Sequence, residues 1–186
     1  MILWIQNLDN NILAYIQANL HNILFDKMMP LISRIGDISA IWLLIAGVFL
    51  LIPRYRKYGI MIVIAALLAA FIGEVVLKNL VERVRPCNLN TLFPMLIPRP
   101  TDFSFPSGHT SASFAATVII WKANRKFGVL ALLLAFLIAF SRLYLYVHYP
   151  TDILAGMVLG LLCGLASIAL INFFYKRKLP DAKKAE

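Results

Sequence analysis

The stretch 152-DILAGMVLGLLCGLASIALINFFY-175, near the carboxyl end of the chain, decides the fold. It carries no charge after its first residue, and it exceeds the roughly 20 apolar residues that a helix needs to cross a bilayer. Gly156, Gly160 and Gly164 recur at every fourth position, a spacing that lets a second helix pack closely in lipid. The stretch therefore predicts a membrane-spanning helix with a tightly packed partner.

Four more apolar runs precede it, and each predicts a further span: 37–53, 58–80, 108–122 and 127–146. The run at 108–122 is the least apolar, since its first turns read SGHTSAS, and we expect it inside the bundle rather than against lipid. The 186-residue chain is 61% apolar and 15% charged, with a mean hydropathy of +0.79. A water-soluble domain of this size could not bury so much apolar surface. Disordered, coiled-coil, collagen-like and soluble α/β proteins are therefore excluded, and the sequence predicts an all-α polytopic membrane helical bundle of five spans.

Residues 2–25 have a different pattern, in which apolar residues recur at helical spacing and Asn or Gln fills most other positions. This pattern predicts an amphipathic helix that lies in the membrane interface and does not cross it. We expect a single membrane-embedded domain over 1–186. Residues 1–30 would form the interfacial helix and the loop into the bundle, 37–175 the bundle, and 176–186 a cytoplasmic basic tail.

The net charge of +9 is read as a signal of membrane orientation. Eleven of the 18 Lys and Arg residues follow the first, third and fifth predicted spans, which places them on one side: Arg54, Arg56, Lys57, Lys122, Arg125, Lys126, Lys176, Arg177, Lys178, Lys183 and Lys184. The positive-inside rule assigns that side to the cytoplasm, so loops 81–107 and 142–151 are expected outside. We predict no nucleic-acid partner. The basic tail is interpreted as a topology anchor, with binding to anionic lipid or nucleic acid as the alternative.

The first of three polar motifs ends the second predicted span, where Lys78 and Arg85-Pro86 occur. Seven residues are two helical turns, so both cations are expected on one helix face, with Pro86 ending the helix. Glu74, one turn before Lys78, is a candidate helix partner for it. The alternative for this stretch alone is a pair of cations that reach up to the interface as anchors.

The second motif, Pro106-Ser107-Gly108-His109, opens the third predicted span. Backbone amides at a helix start face an anion favourably, and Gly108 lets an oxyanion approach the backbone closely. A simple helix cap is the alternative. Burial of these polar residues without a partner would be costly, which favours a functional role.

The third motif runs from Ser141-Arg142 to His148 and Asp152. Pro150 predicts a helix start near 149–151, which puts Asp152 in the first turn of the last span. Its carboxylate could accept a hydrogen bond from one nitrogen of His148 and leave the other free as a nucleophile. Arg142 is suited to bidentate phosphate binding. A purely structural His–Asp pair is the alternative.

Together the motifs supply cations, an anion-binding helix start and two histidines at one membrane face, which are the groups that phosphoryl transfer requires. They resemble the type 2 phosphatidic acid phosphatase superfamily, whose motifs read K-x6-R-P, P-S-G-H and S-R-x5-H-x3-D. The resemblance covers about 75 residues and departs from none of the motifs. The usual N-terminal sixth span of the compact bacterial members is replaced here by the amphipathic helix.

The resemblance implies a metal-independent phosphatase without a cofactor, in a bacterial cytoplasmic (inner) membrane, with its active site on the extracytoplasmic side. By this resemblance His148 attacks phosphorus and Asp152 orients it, while His109 protonates the leaving oxygen and later activates water. The same resemblance assigns five residues to phosphate binding: Lys78, Arg85, Ser107, Gly108 and Arg142.

The resemblance also limits the substrate to a lipid phosphate. Undecaprenyl pyrophosphate is favoured because the chain is compact, and phosphatidylglycerol phosphate, phosphatidic acid and lipid A are the alternatives. A soluble vanadium haloperoxidase shares the motifs but not the apolar composition. A non-catalytic lipid-binding or transport protein is a second alternative, although it would not need both histidines.

Overall fold

The computed structural model describes residues 3–177, with side chains through Tyr175. The described residues form helices and contain no strand. Nine α-helices are numbered in chain order: α1 (Leu3–Asn19), α2 (Ile23–Ile35), α3 (Ala40–Leu51), α4 (Arg56–Ala70), α5 (Lys78–Val81), α6 (Pro86–Leu89), α7 (Gly108–Ala123), α8 (Arg125–Tyr144) and α9 (Pro150–Arg177). A 3-10 turn, Asp37–Ser39, precedes α3, and a π-helical segment, Phe71–Leu77, joins α4 to α5. The predicted basic tail lies outside the described residues, apart from the backbone of its first two.

Helix α7 is the centre of the bundle and packs against α4, α8 and α9. Ten of its 16 residues are buried, which agrees with the expectation that this helix lies inside the bundle. The glycines of α9 face it directly. A Cβ atom added at Gly156 would lie 2.7 Å from the Ser107 carbonyl oxygen, and one at Gly164 would lie 2.8 Å from that of Ala115. The predicted close helix packing at this glycine stripe is confirmed.

Three helical segments among the described residues are long and apolar enough to cross a membrane: Arg56–Leu89, Arg125–Tyr144 and Pro150–Tyr175. Helix α2 and the segment Asp37–Leu51 would together make a fourth, with a bend of 51° between them. Helix α7 is shorter, at 16 residues. The structure thus contains three candidate spans, or four with the bent pair, and the fifth stays a prediction.

The N-terminal region differs from the single helix and loop that the sequence predicts. The first helix ends at Asn19, and the side chain of Asn22 then caps a second helix by accepting hydrogen bonds from the amides of Leu24 and Phe25. The expectation of a loop before the bundle was therefore wrong for the residues of α2. The capping ability of Asn explains the new helix start.

The end of the second predicted span also differs. The prediction of a continuous helix through Arg85 was wrong, because α5 ends at Val81 and Glu82 adopts a left-handed conformation with φ of 49°. Residues 82–85 are not helical, and Pro86 begins α6 rather than ending a helix. Proline has no amide hydrogen to lose at a first helical position, which explains its place there.

Candidate active site

The three motifs meet at one end of the bundle, where α7 and α9 begin and α5 ends; this end is called the site end below. A cavity of about 520 Å³ opens there. Six of the eight predicted site residues line it: Lys78, Arg85, Gly108, His109, Arg142 and His148. Ser107 and Asp152 are buried outside the lining.

Lys78 and Arg85 come together through a carboxylate rather than through a shared helix face. Asp102, from the loop 90–107, binds the Lys78 ammonium through Oδ2, and both of its carboxylate oxygens lie 3.0 Å from Arg85 Nη2. Arg85 Nε also donates to the Asp102 carbonyl oxygen at 2.9 Å. The two cations therefore form a cradle for an oxyanion, which the Asp102 carboxylate occupies in this structure.

The cradle keeps Asp102 ionised. Partial desolvation raises the pKa of Asp102, but the hydrogen bond from Lys78 and the charge of Arg85 outweigh it and lower this pKa to about 2. Asp102 thus carries a full negative charge at neutral pH. A phosphate group that enters the cradle must replace this carboxylate.

Glu74 is a second carboxylate beside the cradle. Its Oε2 accepts a hydrogen bond from Lys78 Nζ at 2.6 Å, which confirms the predicted helix pair. Its other oxygen lies against Gly108, so close that a Cβ atom there would overlap it. Gly108 therefore leaves room for the Glu74 carboxylate at the start of α7, and its role in phosphate binding stays a prediction.

Ser107 serves as the N-cap of α7. Its Oγ accepts from the Thr110 hydroxyl at 2.9 Å and more weakly from the Thr110 amide, while its own amide donates to the Asp152 carbonyl oxygen at 3.1 Å. The side chain is fully buried behind the cavity. These contacts fit the helix-cap alternative for Ser107, and its predicted role in phosphate binding is not tested by them.

Arg142 projects from the last turn of α8 into the cavity. Its Nη1 donates to the hydroxyl of Ser33, on α2, and its buried Nε has no hydrogen-bond partner among the described residues. A buried guanidinium N–H without a partner is costly. This unused donor beside the cradle suits an incoming oxyanion.

His148 lies in the short segment between α8 and α9, and only 1% of it is exposed. Its Nε2 is 3.0 Å from Arg85 Nη1. Because guanidinium can only donate hydrogen bonds, Nε2 must accept, so the ring proton is on Nδ1. Burial, followed by the charge of Arg85, lowers the pKa of His148 to about 3. The imidazole is therefore neutral, with the lone pair of Nε2 at the cavity.

Asp152 stands on the opposite side of this ring, in the first turn of α9 as predicted. Its Oδ2 is 3.5 Å from His148 Nδ1, which is an ion-pair distance but too long for a hydrogen bond. The same oxygen accepts from the Ser104 hydroxyl and from the Tyr149 amide at 2.8 Å. Oδ1 accepts from Arg83 at 2.6 Å. The carboxylate is thus held in one orientation with Oδ2 towards His148.

His109, in the first turn of α7, is half-buried at the cavity wall. Its Nε2 lies 2.8 Å from Asp37 Oδ1, which belongs to the 3-10 turn before α3. This contact with Asp37 fixes the orientation of the His109 ring at the cavity wall. Among the described residues, no three His, Cys, Asp or Glu side chains are grouped in a way that could hold a metal ion.

Sequence reasoning missed three carboxylates and a third arginine around this site. Asp9, Asp37 and Asp102 lie in separate parts of the chain, and none belongs to a spaced motif. Arg83 lies between Lys78 and Arg85 but is not one of the defining residues of that motif. One signal could have found it: a charged residue between two predicted phosphate-binding cations at a membrane surface is a candidate for burial in the site.

Known proteins resemble this chain in sequence and in fold. The sequence profile of the PAP2 superfamily matches residues 58–176. The chain is 30% identical over 182 residues to a protein of Sulfolobus acidocaldarius named undecaprenyl-diphosphatase, across 97% of this chain and 87% of that protein.

Two solved structures are similar to this fold. Aquifex aeolicus LpxE matches with a TM-score of 0.75 and 27% identity, over 87% of this chain and 95% of that one. The PAP2-type phosphatidylglycerolphosphate phosphatase of Bacillus subtilis matches with a TM-score of 0.73 and 26% identity, over 93% of this chain and 87% of that one. The PAP2 match covers well over half of the chain, including all three motifs at the cavity, and the chain therefore belongs to the PAP2 superfamily.

Proposed function

We propose that this chain is an integral membrane lipid phosphatase that hydrolyses a phosphate or pyrophosphate head group through a phosphohistidine intermediate. The proposed substrate is undecaprenyl pyrophosphate, which is cleaved to undecaprenyl phosphate at the extracytoplasmic face of a cytoplasmic membrane. The name of the Sulfolobus relative, which aligns over nearly the whole chain, supports this substrate.

One observation carries the proposal: a single cavity is charged at one end and apolar at the other. The charged end contains the cradle and both histidines, and the other wall consists of aliphatic side chains of α3 and α4: Leu43, Val63, Ala66, Leu67 and Ala70. A soluble phosphate ester would gain nothing from that wall. A lipid phosphate would bury its head group among the cations and the first carbons of its chain against the helices.

The first chemical step uses the lone pair of His148 Nε2. A phosphate group that displaces Asp102 from Lys78 and Arg85 draws the Arg85 donor away from Nε2 and presents phosphorus to it. The N–P bond forms as the P–O bond to the leaving group breaks, and His109 gives its proton to the leaving oxygen. Lys78, Arg85, Arg142 and the Gly108 amide at the start of α7 stabilise charge on the phosphoryl oxygens.

The second step regenerates the enzyme. Neutral His109 takes a proton from water, the water oxygen attacks phosphorus, and the N–P bond breaks to release inorganic phosphate. Asp152 stabilises the proton on His148 Nδ1 in both steps, as a carboxylate does behind a catalytic imidazole.

The proposed membrane arrangement has five spans, the first formed by the 3-10 turn and α3, and the other four by α4 to α5, α7, α8 and α9. Helices α1 and α2 lie in the interface at the site end. Contacts of α2 support this. Asp26 meets Tyr144, and Ser33 meets Arg142. The two contact residues of α2 are seven positions apart, or about 10 Å along its axis, whereas their partners on α8 are two positions apart, or about 3 Å. Helix α2 therefore crosses the end of α8 and does not run along it.

The test is phosphate release by the purified protein from four lipids in matched micelles: undecaprenyl pyrophosphate, phosphatidylglycerol phosphate, phosphatidic acid and lipid A. We expect kcat/KM for undecaprenyl pyrophosphate to exceed the others by at least about tenfold, or about 1.4 kcal/mol of transition-state discrimination. A similar preference for another lipid would show that this lipid is the substrate, and the proposed reaction would stand.

The chain's third histidine supplies the matched control. His148→Ala is expected to abolish phosphate release while the protein remains folded, whereas His21→Ala, which removes a ring stacked on Tyr144 outside the cavity, is expected to keep it. Near-normal release by His148→Ala would refute the phosphohistidine, and lipid binding without release by the unmodified protein would indicate a non-catalytic binding or transport protein.

A further inference from the structure

A buried ion network lies behind the cavity, on the side of Asp152 that faces away from His148. The Arg83 guanidinium bridges two carboxylates: Nη1 donates to Asp152 Oδ1 and Nη2 to Asp9 Oδ2, each at 2.6 Å. Both carboxylates are fully buried, and Arg83 is 7% exposed. The mechanism above uses neither Asp9 nor Arg83, yet burial of three charges requires a compensating benefit.

The network fixes the orientation of the Asp152 carboxylate. With Oδ1 held by Arg83 and Oδ2 held by Ser104 and the Tyr149 amide, the group cannot rotate. His148 Nδ1, which has no hydrogen-bond partner among the described residues, faces Oδ2 at 3.5 Å. A small approach of the ring towards Oδ2, as the imidazole becomes positively charged in the reaction, would complete a hydrogen bond between them.

Asp9 connects the network to both α1 and α9. Its Oδ1 accepts from the Thr151 amide at 3.0 Å, and its Oδ2 from the Thr151 hydroxyl at 2.5 Å. The same hydroxyl accepts from Arg83 Nη1 at 2.7 Å, and the guanidinium lies 3.8 Å from the centre of the Tyr149 ring. Asp9 thereby caps the start of α9 and fixes Arg83 against the segment that carries the nucleophile.

The charges explain why two carboxylates share one arginine. If Arg83 bound Asp152 alone, the pair would have no net charge and would stabilise a positively charged His148 imidazole poorly. Asp9 takes half of the arginine fork, so the three groups together keep a net charge of −1 beside His148. The result is an oriented carboxylate that remains electrostatically effective.

We infer that Asp9 and Arg83 are positioning residues for the His148–Asp152 pair, and that Asp9 is the residue through which α1 acts on the active site. The inference rests on the proposed role of His148 as the nucleophile.

The test measures kcat and KM for phosphate release from undecaprenyl pyrophosphate in Asp9→Asn and Arg83→Gln. We expect kcat to fall about 10- to 100-fold in each, as for other groups that orient a functional histidine. KM is expected to stay within about twofold, because the cradle is untouched. Asp9→Glu should recover much of the loss. Asn7→Ala, on the exposed face of α1, is the matched control and should leave both constants unchanged.

A double-mutant cycle separates positioning from general destabilisation. If Asp9 acts through Asp152, then Asp9→Asn should change kcat less than about twofold in an Asp152→Asn background. The Arg83→Gln cycle is run in parallel, so that poor folding of one variant leaves the other to decide. Additive losses, or an unchanged kcat in both single variants, would overturn the inference. If either of these two outcomes occurs while His148→Ala still abolishes phosphate release, the proposed function stands. Only the positioning role of Asp9 and Arg83 is then refuted.

Discussion

The two nitrogens of His148 have chemically different neighbours, and this difference determines what the residue can do. Nε2 faces a guanidinium that can only donate, and Nδ1 faces a carboxylate that can only accept. The tautomer follows from the neighbours without any assumption about the reaction. It also leaves the lone pair on the nitrogen that lines the cavity with Arg85.

We predict that this imidazole stays neutral throughout the range in which an ordinary histidine titrates. Its pKa is lowered to about 3, so between pH 8 and pH 5 it binds no proton, whereas a free histidine is protonated below about pH 6.5. The chain has three histidines, and His21→Asn with His109→Asn leaves His148 alone. The 15N chemical shifts of its ring should remain constant from pH 8 to pH 5. A titration centred near pH 6.5 would contradict the buried, arginine-facing environment.

For individual residues, the sequence predicts contacts between side chains that are close along the chain and misses contacts between distant ones. Asp152 follows His148 by one helical turn, so their pairing could be read from the spacing. Asp102 and Lys78 are 24 residues apart, and Asp9 and Arg83 are 74 apart. No local periodicity brings such residues together, because their meeting depends on how helices and loops pack.

Among the helices, the packing of α9 on α7 depends on the glycine stripe. A Cβ atom at Gly160 would overlap the Ser111 carbonyl oxygen and approach the Ala115 amide nitrogen to 3.0 Å. These are backbone atoms of the helix that carries His109, and they cannot rotate away. The stripe therefore controls the distance between the two helices whose first turns form the site.

We predict that Gly160→Ala lowers stability by about 1–3 kcal/mol, as overpacking does elsewhere, and lowers kcat through displacement of α7. Gly47→Ala, in α3, is the matched control because no atom lies within 4 Å of its added methyl group. That variant should keep its activity and gain up to about 1 kcal/mol from helix propensity. Thermal unfolding in detergent and phosphate release measure both effects. Equal behaviour of the two variants would argue against close packing at the stripe.

The helices show the same limit of sequence reasoning. Hydropathy locates α8 and α9 to within about two residues, because each is a long uninterrupted apolar run. It fails at Glu82 and Asn22, where a left-handed residue ends α5 and a side-chain cap starts α2. Both breaks depend on local backbone chemistry that leaves the apolar pattern unchanged.

At the scale of the whole molecule, the end opposite the cavity carries a group of mostly exposed basic residues. Arg56 and Lys57 begin α4, and Lys122 lies in the last turn of α7. The site end has cations too, but Lys78, Arg83 and Arg85 are buried and paired with carboxylates, and Arg142 is buried beside them. The basic residues therefore fall into a mostly exposed set, to which we assign the membrane orientation, and a buried set, to which the proposed function assigns substrate binding.

We predict that the loop 90–107 and the turn between α7 and α8 lie on opposite sides of the membrane. Leu92→Cys, at a position that is 94% exposed, should react with a membrane-impermeant maleimide in intact cells. Lys126→Cys should react only after the membrane is permeabilised. Cys87 and Cys163 are buried, so the unsubstituted protein serves as the unlabelled control. Labelling of both positions in intact cells would refute the proposed topology.

The hydrogen bond between Asp9 and Thr151 also has a consequence for the order in which the protein is made. The two residues are 142 positions apart, so Asp9 on α1 cannot form this hydrogen bond until most of the chain has been synthesised. Until then, a nascent chain in the membrane has the cations of the first motif but neither His148 nor the carboxylate behind it. Hydrolysis at the proposed site can therefore begin only after most of the chain has been inserted, and a partly synthesised chain cannot hydrolyse the surrounding lipids.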